Sequence, residues 1–242
     1  MIDFRIRIAG HNALVQVKHI RPFAFCRDFI TDQPAEFCIR ITQQDIDKEK
    51  EQYEENQGEC SLWDNSLEFL ALQRLVADKL LEHNVFLMHG AVIAYNNEAY
   101  MFTASSGAGK TTHIMKWLSK LPNSFIVNGD KPFIRFDDDA ILACGSPWAG
   151  KEALYTNTMV PLKSIILMER AEENHMEQIS FAQAFPGLLQ QVYRPNDEEK
   201  MRKTLRLMQR LNGTVSFWRF QCNNFKDDCF DVAYKALVRD QG

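Results

Sequence analysis

The chain of 242 residues is long enough for one large domain, or for one domain with a small appendage, and 45% hydrophobic with 25% charged residues is ordinary globular composition. A formal net charge of −4 argues against a dedicated nucleic-acid binder, whose footprint is basic. No apolar run reaches the roughly 18 residues of a membrane span, and the opening MIDFRIRIAG lacks a signal peptide's apolar core, so the expectation is a cytoplasmic protein with no membrane partner.

Residues 1–43 read as β-rich: FRIRIAGHNALVQVKHI suggests a hairpin around Gly10-His11-Asn12, and AEFCIRIT a further alternating strand. DIDKEKEQYEENQGE crowds charges without an apolar stripe, which fits an exposed helix or a mobile segment. From Ser66 to His83 the pattern turns helical, with Phe69, Leu72, Val76 and Leu80 on one face. VFLMHGAVIAY reads as a single apolar strand, Asn96-Asn97 as a turn tolerant of positive φ, and AYMFTA as the return strand. A helix from Thr112 to Leu121 stops at Pro122 and Asn123. SFIVNGDKPFIRF contains a buried strand, and Asp137-Asp138-Asp139 fits a solvated turn. SPWAGKEALYTNTMVPL is too rich in turn formers for a regular element. KSIILMER is another strand, followed by helices near 181–192 and 197–211, the strand TVSFWRFQC and a terminal helix near 231–238. The weakest joint falls near 60–65, giving a small β-rich region at 1–63 and a larger domain at 64–242.

The six cysteines, Cys26, Cys38, Cys60, Cys144, Cys222 and Cys229, are dispersed and form no C-x-x-C pair, which reads as reduced structural thiols.

The most informative stretch is MFTASSGAGKTTHIMKWL, Met101 to Leu118. It matches the phosphate loop G-x-x-x-x-G-K-[ST] except that Ala104 stands at the first glycine. Such a loop works because successive N–H groups point inward and the following helix turns its positive end to the anion. Ser105, Ser106, Gly107, Ala108, Gly109, Lys110, Thr111 and Thr112 are the candidate binding residues, with Lys110 on the β- and γ-phosphates and the Thr111 hydroxyl on magnesium. Ala104 is acceptable there if its φ is negative. Asp130, ending FIVNGD, is placed as the acidic metal contact that such sites carry on a neighbouring strand, beside the plain alternative of a turn aspartate.

Taken together, LMHGAVIAYNNEAYMFTASSGAGKTTHIMKWL, IVNGDKPFI, CGSPWAGKE and VPLKSIILMER resemble the HPr kinase/phosphorylase-like family, which is related to phosphoenolpyruvate carboxykinases. The resemblance spans roughly residues 66–240 and is nearest to short kinase-like members found beside peptide-maturation genes. It implies an α/β fold, a mixed-sheet P-loop kinase core with a small β-rich N-terminal part, and an ATP- and Mg²⁺-dependent kinase acting on a hydroxyl. The implied acceptor is a serine of a peptide or small protein, or a small hydroxy metabolite, and oligomers are typical. It places His89 beside the transferring phosphoryl group and makes His89, Lys110 and Asp130 the catalytic set, with Thr111 and Asp130 on the metal. The family's acidic pair is Gly129-Asp130 in this chain, so one carboxylate is missing. Either Asp130 serves as the base, or His89 does, or the protein binds nucleotide without catalysis and acts as a regulator. Trp148 reads as core packing and Lys151 as a candidate phosphate contact.

Overall fold

The computed structural model describes residues 1–239; the last three positions of the 64–242 region lie outside them. The chain divides into two compact units, Met1–His83 and Asn84–Gly242. The sequence draws the joint at 63–64, whereas the helix α3 (Asp64–Leu80) belongs to the first unit. No described helix is long and apolar enough to cross a membrane.

In the first unit, β1 (Ile2–Ile8) and β2 (His11–Val17) pair antiparallel, and β2 pairs parallel with β3 (Phe37–Arg40). Alternation buries Phe4, Ile6 and Ile8 on one strand and Ala13, Val15 and Val17 on the other. The hairpin turns at Ala9-Gly10, with φ of 50° and 83°, one step earlier than the sequence suggests. His11 and Asn12 already pair with Ile8 and Arg7, because two consecutive positive φ values fit the twist of a two-residue turn. A short helix α1 (Ile20–Phe25) follows β2. The charged segment is a helix, α2 (Gln43–Gln57), started by a capping box between Thr42 and Asp45 and ended at Gly58. It is tied to α3 by Arg74, which pairs with Glu49 and Asp45.

The second unit is a mixed α/β structure on a curled sheet. Its strands are β4 (Val85–Leu87), β5 (Ala91–Tyr95), β6 (Glu98–Thr103), β7 (Phe125–Asn128), β8 (Phe133–Phe136), β9 (Ile141–Cys144), β10 (Met159–Arg170), β11 (His175–Ile179) and β12 (Ser216–Cys222). One path runs β4-β8-β9-β10-β6-β5-β7, and β12 pairs with both β10 and β11. The long β10 joins the two halves. Its first three residues pair antiparallel with β9, and its remainder lies parallel to β6 and to β12. The register against β6 shifts by one at Lys163. Asn96 and Asn97 both have positive φ and close the β5–β6 hairpin as expected.

Helices α4 (Lys110–Lys120) and α7 (Cys229–Tyr234) share one core cluster with Ile93, Phe102, Ile166, Met168 and Phe220. Trp117 is its centre, with Tyr100, Phe102 and Phe230 rings 5.4, 5.8 and 5.6 Å away. Helix α5 (Phe181–Gln191) comes close at Gly187, where an added Cβ would sit 2.2 Å from Leu167 Cδ2. Because Leu167 alternates with Ile166 and Met168, α5 covers the opposite face. The basic helix α6 (Glu198–Arg210) buries Thr204, Leu207 and Met208, and Arg210 donates to the Asp137 carbonyl in the triple-aspartate turn.

The stretch VFLMHGAVIAY, expected as one strand, is two. It breaks at Met88–Gly90, where the His89 N–H donates to the Gln191 carbonyl and the Gly90 N–H to the Asp130 carbonyl. A Cβ at Gly90 would lie 2.4 Å from Met101 Cε. The break takes His89 out of the sheet.

Glu68 in α3 is fully buried and accepts from Lys18 N at 2.6 Å, His19 N at 2.9 Å and His19 Nδ1 at 2.8 Å. It fixes the passage from β2 into α1. Glu68→Ala leaves two backbone donors and an imidazole without their carboxylate and is expected to cost about 3 kcal/mol. Glu68→Gln, which keeps the volume and one acceptor oxygen, should cost about half of that in urea unfolding; a Gln variant as stable as the native chain would show that volume matters and the carboxylate does not.

Candidate functional site

The phosphate-loop sequence sits between β6 and α4, the strand-to-helix turn that such a loop needs. Gly107 and Gly109 have φ of 76° and 96°, so both glycines carry the left-handed curl. Ala104 is buried and is not among the described residues with positive φ, so alanine fits where the motif has its first glycine. Ser105, Ser106, Gly107 and Thr112 are exposed, while Ala108, Gly109 and Thr111 are half-buried. Lys110 is buried, and its ammonium donates to the carbonyls of Ala104 at 3.0 Å and Ser105 at 3.2 Å. Burial lowers the Lys110 ammonium below its usual range, and the Asp130 carboxylate opposes that fall.

His89 reaches the loop through its backbone, since Thr103 Oγ1 at the end of β6 donates to the His89 carbonyl at 2.7 Å. Its ring lies between two partners: Nδ1 is 2.9 Å from Gln191 Oε1, and Nε2 is 3.2 Å from Asp130 Oδ1. The structure therefore brings His89 and Asp130 together. With a proton on each nitrogen the ring donates to both partners. In its neutral form, held at Nδ1 by Gln191, the ring presents a lone pair at Nε2.

Asp130 also pairs with Lys131 Nζ at 3.0 Å. Burial alone would raise its carboxyl, but the His89 hydrogen bond and the Lys131 charge together lower it to about 2. The turn is locked from below by buried Asn128. Its Oδ1 accepts from the N–H groups of Asp130 at 2.9 Å and Lys131 at 2.7 Å, and its Nδ2 donates to Ser146 O and Oγ, both at 3.0 Å. Ser146 Oγ in turn donates to the Lys131 carbonyl at 2.6 Å.

Gly129 is hemmed in. A Cβ there would lie 3.3 Å from the carbonyl oxygens of both Ala149 and Leu154. A carboxylate at 129 would thus start out toward backbone oxygens of the Pro-Trp loop. Trp148 is buried and meets Phe133 edge to face at 6.2 Å, which is packing, and Lys151 is exposed.

A cleft of about 490 Å³ opens on Gly107–Gly109 and Thr112, walled by Arg170, Ala171 and Cys222–Phe225. Arg170 donates to the Gly107 carbonyl, Asn224 Nδ2 donates to the Gly109 carbonyl at 3.1 Å, and Phe225 is fully exposed.

Sequence reasoning missed Gln191, Asn128, Ser146, Arg170 and Asn224. Only Asn128 had a legible signal, since Asn-Gly-Asp is the chemistry of a side-chain-stabilised turn. Gln191 is 102 residues from His89 and carries no local mark of its role.

Asp130 is a depressed carboxyl, so its contribution to stability is complete above the ordinary aspartate range near pH 4 and is lost as pH falls through about 2. Asp130→Asn should cost on the order of 2 kcal/mol at neutral pH and flatten the stability profile between pH 4 and 2. Chemical denaturation at several pH values reads this, and an unchanged acid profile would contradict the pairing with His89 and Lys131.

No protein-family model matches the sequence, and no curated protein matches it. Among solved structures, the chain is similar to the Hpr(Ser) kinase/phosphatase from Coxiella burnetii, at 9% identity over 64% of this chain and 99% of that chain, with a TM-score of 0.39. At that score and identity the likeness is distant.

Proposed function

We propose that the second unit is a phosphotransferase that binds MgATP and passes the terminal phosphoryl group to a hydroxyl, a serine of a peptide or small protein. One observation carries the reading. Lys110, curled on carbonyls inside a glycine-bent loop at a helix N-terminus, stands in the same unit as the His89–Asp130 pair, and Thr103 ties His89 to the root of that loop. The first element supplies a phosphate cradle. The second supplies a proton acceptor and an anionic oxygen.

The Thr111 hydroxyl and the Asp130 carboxylate are the residues that would hold Mg²⁺. An alcohol and an ionised carboxylate are the hard oxygen donors that this cation prefers. The metal supplies neutralisation of charge on the β- and γ-phosphates. A carboxyl held at about 2 is a weak base near neutrality and suits a cation better than a proton. His89 is then the better acceptor of the hydroxyl proton: with Asp130 engaged by the cation, Nε2 no longer donates to that carboxylate, and Gln191 keeps the remaining proton on Nδ1 so that Nε2 is the basic nitrogen. Because phosphoryl transfer through a loose transition state relies on positioning and charge stabilisation, one such group is enough. The cleft beside Gly107–Gly109, with exposed Phe225 and the Arg170 guanidinium, is placed to take the nucleoside end.

Lys110→Met is expected to lower transfer from γ-labelled ATP to acceptors in a host extract by about a hundredfold or more, with the thermal transition retained. Undiminished labelling in that variant would overturn the kinase reading.

The crowding around Gly129 favours a second reading, a nucleotide-binding regulator without turnover. The two differ in outcome: MgATP binding with no labelled product and no hydrolysis above background would select the regulator. In neither case does a restored acid help. Gly129→Asp is expected to lower the melting temperature by displacing the loop at Ala149 and Leu154, and to leave transfer no higher than in the native chain; a gain in transfer would show that the missing carboxylate limits the chemistry.

A further inference from the structure

A second group of reactive side chains lies apart from His89 and Asp130, against the buried face of α4. Cys222 ends β12 and Cys229 opens α7, both are buried, and their sulfurs are 3.5 Å apart. His113 Nδ1 is 3.3 Å from Cys229 Sγ, and Trp117 Nε1 is 3.0 Å from His113 Nε2. An indole N–H can only donate, so Nε2 holds a lone pair and Nδ1 holds the proton. The direction of every following bond is then set. In the protonated state His113 Nδ1–H donates to Cys229 Sγ, Cys229 S–H donates to Asn224 Oδ1 at 3.3 Å, and Asn224 Nδ2–H donates to the Gly109 carbonyl at 3.1 Å. A chain that starts on a core tryptophan ends on the phosphate loop.

His113, Cys222 and Cys229 also have ligand atoms within 4.8 Å of one another, the spacing of a metal site. The tautomer opposes that use. A cation at Nδ1 would drive the proton to Nε2, where the Trp117 N–H already points.

We propose that Cys222 and Cys229 form a reversible disulfide that releases Asn224 from the phosphate loop and so makes the loop's hold on an anion redox-dependent. The consequence for nucleotide rests on the function proposed above; the disulfide and the loosening of the loop do not. A disulfide needs the sulfurs about 1.5 Å closer than they stand, near 2.05 Å. It also removes the Cys229 proton that Asn224 Oδ1 accepts.

Hydrogen peroxide is the oxidant that balances the step. Cys222 forms part of the cleft wall, and its sulfur stands 3.5 Å from Cys229 Sγ, so the cleft leads to the pair. Cys229 is the more acidic sulfur: donation from Cys222 and then from His113 favours its thiolate against burial, and Cys222 is raised by the same partnership and by burial. The Cys229 thiolate attacks one peroxide oxygen, forming S–O and breaking O–O, and the departing hydroxide takes up the thiol's proton to become water. The Cys222 thiol then attacks the sulfenic sulfur, forming S–S and breaking S–O, and its proton leaves with the hydroxyl as a second water. Two thiols lose two electrons and one peroxide gains them.

The purified full chain is treated with hydrogen peroxide, alkylated, digested and mapped by mass, and backbone hydrogen exchange is followed at residues 105–112. The expected result is a peptide linked at Cys222 and Cys229, amide exchange in the loop faster by about tenfold, and recovery of both with dithiothreitol. MgATP affinity should fall by a similar factor. The Cys38→Ser/Cys60→Ser variant, lacking the two thiols outside the cores, should respond identically. Failure to find the linkage, a linkage that leaves loop exchange unchanged, or one equivalent of zinc that copurifies and blocks both thiols would each overturn the proposal. If neither redox state binds MgATP, the nucleotide reading fails while linkage and exchange still decide the switch.

Discussion

A lysine ammonium taken out of water must be met by oxygen, and much of the second unit is arranged around that requirement. Lys110 is buried, and it finds the Ala104 and Ser105 carbonyls only because the loop turns back on itself at Gly107 and Gly109. The loop thus satisfies its own cation with its own backbone. The field of Asp130 adds a remote counter-charge, so the loop and the His89–Asp130 pair belong to one electrostatic unit.

The acid itself is held by a neutral amide. Asn128 contributes no charge, yet its four hydrogen bonds, two accepted and two donated, set the backbone on which Asp130 and Lys131 stand. Fully satisfied polar networks in a low-dielectric interior are rigid, because each partial loss leaves a costly orphan. Rigidity is what a pair such as His89 and Asp130 requires, since 3.2 Å between Nε2 and Oδ1 is kept only if both backbones are fixed. The break in the sheet at Met88–Gly90 does the same for His89, using backbone bonds to Gln191 and Asp130.

What the sequence made legible was local. The β5–β6 hairpin followed from Asn96-Asn97, the strand-to-helix turn before Lys110 from its glycines and flanks, and α3 from apolar residues at helical intervals, because each depends on neighbours a few positions away. The displaced turn at Ala9-Gly10 shows the resolution of such reasoning: Gly10 marked the place, and strand twist chose the register. The single strand expected across His89 was split because its two halves pair with different strands, β8 on one side and β6 and β7 on the other. No periodicity carries that information. Gln191, Asn224 and Arg170 were invisible for the same reason, as their partners lie 63 to 115 residues away. Gly129 was legible only as a glycine where the resembled family carries an acid, and the backbone around it shows that the position faces carbonyl oxygens.

The one-residue irregularity at Lys163 sets what kinds of change β10 can absorb. Beyond it, Ile166 and Met168 face the α4 and α7 core while Leu167 meets Gly187 of α5. Side chains alternate with a period of two, so losing or gaining a single residue there would exchange the two faces for the rest of the strand. Arg170, at its end, would turn away from Gly107. The number of residues between the β9-paired start and the β12-paired end of β10 is therefore fixed by packing on both faces, and added length is accommodated only before Met159 or after Arg170.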